Sequence, residues 1–178
     1  MKIREYFTEE QDKLLEQSIK IYGIDTNKLI FIEELAEITK AYIKLLRADK
    51  KTDSEFTYRR LLRELTEECA DCLVMCQTFK IVNGLEFWDN PECLENHEDK
   101  IDTLFSFSAM MMELRLSMIW NKQFRLPVLL GFSIVLTNFI DSLNISNEVK
   151  AISDAKIERL RKRIKRTEQE RRSDEKLL

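Results

Sequence analysis

Between Ile32 and Asp71 the chain reads IEELAEITKAYIKLLRADKKTDSEFTYRRLLRELTEECAD, and both ends of this stretch carry one spacing, Glu33-Glu34-Leu35-Ala36-Glu37 and Glu67-Glu68-Cys69-Ala70-Asp71. A helix advances about 100° per residue, so Glu34 with Glu37, and Glu68 with Asp71, project from one face a turn apart. Around each cluster the apolar residues recur at helical spacing. Phe31, Leu35, Ile38, Tyr42 and Leu45 form one stripe, and Leu61, Leu62, Leu65, Cys72, Cys76 and Phe79 form the next. Two long helices are therefore predicted, each with a carboxylate arc bordering its core stripe. Set face to face, they bring Glu34, Glu37, Glu68 and Asp71 together, an arrangement that repels itself unless a cation fills it. Oxygen ligands of this kind suit a hard divalent ion, Mg2+ first.

An ordinary solvated helix face would pair each Glu with a Lys four residues on. Here the i+4 partner is acidic in Glu33/Glu37, Glu64/Glu68 and Glu67/Asp71. The opposing reading is that Arg60, Arg63 and Lys40 neutralise the arcs from neighbouring turns. Matching register on two consecutive helices favours the metal site.

Outward from this pair, the chain continues to read as helix. Thr8 followed by Gln11 is a capping-box signature, with Leu14, Leu15, Ser18, Ile21 and Tyr22 behind it and Gly23 closing the first helix. Asp25 or Thr26 is expected to cap the second helix, which runs to about Ala48. The polar link Asp49 to Ser54 follows, with Asp53 or Ser54 capping the third, and Gly84 ends that helix. Within the segment 85–147 an apolar helical hairpin is predicted. One arm starts at Asp99 or Asp102 and carries Leu104, Phe107, Met111, Leu114, Met118 and Ile119. The other has Pro127 in its first turn and runs to about Leu143. Both arms are apolar around much of their circumference, which implies burial within the bundle or against a second copy. A turn at Asn144 to Asn147 leads, with Ser146 as cap, into a last helix holding Val149, Ile152, Ile157, Leu160 and Ile164. Beyond Lys165 the apolar period stops and a fraying, charged tail is expected. Near the packed end of that helix, Lys156 and Arg159 are placed to meet an anion.

The fold class expected is thus all-α: one helical bundle over 1–166 with two long acidic helices and the hairpin, then a tail over 167–178. Three Gly and two Pro leave little punctuation for a sheet. A formal net charge of -3 excludes global attraction to nucleic acid, and the basic tail lacks a recognised binding module. The N-terminal Met1-Lys2-Ile3-Arg4-Glu5-Tyr6 has no apolar core of a secretory signal. The apolar run from Leu126 to Ile140 is shorter than the roughly 20 residues of a membrane span. Four cysteines, three of them on one helix, fit reduced thiols and a cytoplasmic setting. Cys69, Cys72 and Cys76 read as small core residues rather than zinc ligands, since Cys93 and the single His97 are the only other soft donors.

Glu33-Glu34-x-x-Glu37 followed by Glu68-x-x-Asp71 resembles the signature of the MazG-like all-α nucleoside triphosphate pyrophosphohydrolases, to which dimeric dUTPases are related. Tyr22-Gly23-Ile24-Asp25 is similar to that family's approach to the first motif, and Lys156-Ile157-Glu158-Arg159 to its late Lys-x-x-Arg. The chain departs from the pattern in its apolar hairpin and in Asp154, where relatives often carry Asn. The resemblance implies a Mg2+-dependent enzyme, with Mn2+ as a substitute, that cleaves an NTP or dNTP to the monophosphate and pyrophosphate. It implies Glu34, Glu37, Glu68 and Asp71 as metal ligands, and Glu37, or its neighbours Glu33 or Glu67, as acceptor of the water's proton. Lys156 and Arg159 would neutralise the β and γ phosphates. Trp88, Trp120, Asn121 and Phe31 are candidates for base recognition, and a homodimer or higher homo-oligomer is expected. A non-catalytic helical interaction protein, using the hairpin for assembly, is the alternative.

Overall fold

The apolar stripes become buried faces of helices. The computed structural model describes residues 3–48, 54–84, 100–119 and 126–174. These form a short 3-10 turn, Ile3–Tyr6, and six α-helices: α1 (Glu9–Tyr22), α2 (Ile24–Arg47), α3 (Glu55–Val82), α4 (Lys100–Ile119), α5 (Leu126–Ser142) and α6 (Ser146–Asp174). The protein is all-α, with no strand among the described residues.

α2 and α3 form the central antiparallel pair. Their register follows from three cross-helix contacts: Lys44 with Glu64 at 3.1 Å, the Glu37 and Glu68 carboxylates, and the Phe31 and Phe79 rings stacked at 5.6 Å. Phe31, Leu35, Ile38, Leu65, Cys72, Cys76 and Phe79 are fully buried, as their spacing predicts. The carboxylate arcs lie at the rim of this interface.

The hairpin completes the core instead of hanging from it. Phe132 of α5 meets Phe31 edge-on at 5.8 Å, and Phe139 meets Tyr42 at 4.6 Å. Phe107 of α4 joins both α5 rings, at 6.0 and 5.9 Å. The hairpin thereby packs against α2 and α3, and its broad apolar character is used mostly within the chain. On α4 the outer residues Phe105 and Met112 stay exposed.

Local signals hold at most helix ends. Thr8 and Gln11 form the reciprocal capping box, and Ser54 Oγ accepts from the Thr57 N–H at 3.2 Å. Gly84, with φ of 66°, follows the third helix. Four expectations need correction. Neither Asp25 nor Thr26 caps α2: Gly23 itself joins α1 to α2, its φ of 84° turning the chain in one residue. Asp25 sits instead in the first turn, 3.2 Å from Lys28. Ser146 is the first residue of α6 and donates to Asp141 Oδ1 at 2.5 Å; the turn before it is made by Asn144 at φ 56°. The last helix is helical past Lys165 as far as Asp174, beyond the expected start of the tail, with Glu168 accepting from Gln17 of α1 and Glu170 paired with Arg166. Tyr22, expected on the inner face of α1, is 38% exposed.

α6 reaches the central pair beside the carboxylates. Its Ser153 and Ile157 are buried, and Lys156 lies between them on the turn that faces α3. α1 packs alongside α6 through Gln11 to Asp154 at 2.8 Å and Glu10 to Arg161 at 3.0 Å.

Candidate metal centre

The antiparallel register of α2 and α3 decides which carboxylates meet. Glu34 and Glu37 lie one turn apart on α2, and the turn of α3 opposite carries Glu68. One oxygen from each of these three residues lies within 4.8 Å of the others. Glu34 and Glu68 are partly buried and Glu37 is exposed, so the cluster is lined on one side by protein and open on the other. Asp71, a turn further along α3, is a quarter exposed and accepts a hydrogen bond from Lys156 Nζ.

The electrostatics of the cluster are unfavourable as it stands. Burial, then the charges of Asp71 and Glu37, pushes the Glu34 carboxyl up to about 7 from an ordinary 4.5, with Lys156 working in the opposite direction. Burial, then Glu37 and Asp71, and a hydrogen bond with Glu37, push Glu68 up to about 7 as well. Two carboxyls that resist ionisation beside two further acids form a site that gains from a cation, because positive charge offsets both the repulsion and the lost hydration. The donor set consists of hard carboxylate oxygens, which fits Mg2+ or Mn2+.

The remaining acids of the two arcs have other surroundings. Glu64 is 3.1 Å from Lys44 and 3.9 Å from Arg60, and Glu67 is 3.9 Å from Arg63. The basic residues of neighbouring turns thus serve Glu64 and Glu67, while Lys40 makes no ion pair with Glu37 among the described residues. Glu33 and Glu67 are exposed and lie outside the three-carboxylate cluster. Of the two basic residues, Lys156 enters the site and Arg159 lies exposed one turn later on α6.

Cys72 and Asp154, both noted in the sequence for other reasons, take definite places in the fold. Cys72 lies beneath the site, fully buried, its thiol pushed well up first by burial and then by charges that include Glu34 and Asp71. Burial likewise pushes the Cys76 thiol up to about 12 against the pull of Lys80, and raises Cys69. Thiols so hard to ionise belong to the core, in keeping with their spacing among Leu65 and Phe79. Asp154 is held by Gln11 Nε2 at 2.8 Å and by Lys150 at 3.3 Å, so this acid ties α6 to α1. The i, i+4 spacing of Lys150 and Asp154 was the available signal for that pair.

Phe31, a candidate for base recognition, is fully buried in the aromatic core and cannot reach a ligand. Trp88, Trp120 and Asn121 lie outside the described residues, as do Cys93, His97, Asp49, Asp53 and Asp99. No described helix is long and apolar enough to cross a membrane. No protein-family model matches the chain, and comparison with curated proteins and with solved structures yields no match.

Proposed function

We propose that the protein is a Mg2+-dependent nucleoside triphosphate pyrophosphohydrolase of the MazG-like kind, cleaving an NTP or dNTP to the monophosphate and pyrophosphate. The observation that carries this reading is the approach of Glu34, Glu37 and Glu68 to within 4.8 Å across two helices, with Lys156 as the nearby cation supplied by a third. Glu34 and Glu68 would hold the ion from the protein side, Glu37 from the open side, and Asp71 would complete the set. Bound there, Mg2+ supplies a Lewis acid for the triphosphate and lowers the barrier to attack by water at the α-phosphorus.

The chain's own residues do the rest. Glu37, the exposed member of the cluster, takes the proton from the attacking water, and the bond from the α-phosphorus to the bridging oxygen breaks to release pyrophosphate. Glu33 and Glu67 are its alternates for that proton, each further from the cluster. Lys156 and Arg159, a turn apart on α6, offset the charge that builds on the departing β and γ phosphates. Partial burial of Glu34 and Glu68 strengthens every one of these interactions by excluding water from one side.

The test is a panel of NTPs and dNTPs in which pyrophosphate and orthophosphate are measured separately. Pyrophosphate release that needs Mg2+ or Mn2+ is the expected result, and its absence across the panel would overturn the reading. A helical interaction protein is the second reading, favoured by one observation: Phe105 is 74% and Met112 55% exposed on the outer face of α4. Concentration-dependent self-association, seen in a protein that neither turns over nucleotide nor is stabilised by divalent metal, would replace the enzyme with an assembly role.

A further inference from the structure

Four carboxylates make up the proposed ligand set at the α2–α3 rim, yet the three that converge are Glu34, Glu37 and Glu68. The fourth, Asp71, is engaged by Lys156, whose ammonium also acts on Glu34 and Glu68. Lys156 and Asp71 are only 21% and 25% exposed, so water screens the pair weakly. The lysine's backbone is anchored: Ser153 before it is fully buried and Ile157 after it is 2% exposed. Its four-carbon stem, however, has rotamers to spare, so the ammonium can leave Asp71 without α6 moving.

We propose that Lys156 is the resident counter-cation of the metal centre: it occupies Asp71 in the metal-free protein, competes with the divalent ion for that carboxylate, and is released by metal binding to meet the nucleotide's phosphates. This inference rests on the metal-centre reading above. It makes Lys156 the coupling between the two ligands. A metal ion entering the site repels the ammonium and takes Asp71 from it, and the freed charge then favours a polyphosphate. Coupling of this kind is reciprocal, so nucleotide also tightens metal binding by holding the lysine away from the carboxylates.

The experiment measures Mn2+ binding to the full-length protein, without nucleotide, by electron paramagnetic resonance of the free ion. Wild type is compared with Lys156→Met, Lys156→Gln and Glu68→Gln, each checked for native helix content and a cooperative melt. Removing the lysine charge is expected to tighten Mn2+ binding about tenfold, the size of effect a single close charge has on a carboxylate. Lys156→Gln, which keeps a donor for Asp71 but no charge, follows Lys156→Met and stands in for it should the methionine variant misfold. A non-hydrolysable α,β-imido nucleotide is expected to tighten Mn2+ binding in wild type and to do so several-fold less in either lysine variant. Unchanged or weaker Mn2+ affinity in the lysine variants, with Glu68→Gln weakened, would overturn the counter-cation role and leave the metal centre standing. Mn2+ binding that is equally weak in wild type and Glu68→Gln would overturn both.

Discussion

Glu34 and Glu68 share one predicament, burial beside other acids, and it makes their behaviour measurable before any substrate is known. Because both carboxyls titrate near 7 in the folded protein against an ordinary 4.5, the folded state binds protons that the unfolded chain has released. Their contribution to stability is full below about pH 4.5 and is lost as pH rises through about 7. In EDTA, wild type should lose more melting temperature between pH 5.5 and 7.5 than Glu34→Gln or Glu68→Gln, in which the protonated form is mimicked at every pH. The same substitutions at pH 7.5 should raise the melting temperature without metal and remove the stabilisation that Mg2+ brings to wild type. On the proposed mechanism, Glu34→Gln and Asp71→Asn are expected to lose at least about a hundredfold in kcat at saturating Mg2+, since each would remove a carboxylate from the proposed ligand set. Full activity in either would show that the ligand set is wrong.

At the scale of elements, the site depends on how α2 and α3 are held in register, and a ring stack contributes to that beside the Lys44–Glu64 pair. The Phe31–Phe79 stack, extended edge-on to Phe132, locks the far end of the pair. Phe79→Ala should cost about 3–5 kcal/mol in urea denaturation. It should also lower metal affinity without touching a ligand, because a slip between the helices separates Glu68 from Glu34 and Glu37. The capping box of α1 is a smaller term: Thr8→Ala should cost about 1 kcal/mol and leave metal binding unchanged. These two variants separate loss of stability from loss of register. The helices themselves were legible because α2 and α3 each repeat an apolar stripe at helical spacing. Gly23 was less so: the expectation of a side-chain cap at Asp25 assumed a linker between α1 and α2, whereas a single glycine in a left-handed conformation makes the corner. The persistence of α6 past Lys165 was hidden for a different reason. No apolar residue signals it, and the contact that accompanies it, Gln17 with Glu168, is polar and far apart in sequence.

For the whole molecule, the hairpin is the element whose role only packing could decide. Its sequence is apolar on most sides, which suits an internal core and a subunit interface equally. Phe107, Phe132 and Phe139 place it in the core with Phe31 and Tyr42, leaving Phe105 and Met112 on the outside. What the amino-acid sequence determined by itself was the all-α class, the two long helices, and the identity of the acids that border their stripes. Local periodicity and capping chemistry suffice for those. Which acids meet was a tertiary decision. Glu34, Glu37 and Glu68 converge because the antiparallel register sets them opposite one another. Glu64 is drawn to Lys44 across the helix pair, Glu67 lies by Arg63, and Asp71 is claimed by Lys156 from a helix 85 residues away in the chain. Charge acts through space, so while Glu67 keeps a partner four residues away, the partners of Glu64 and Asp71 include cations that only the fold brings near.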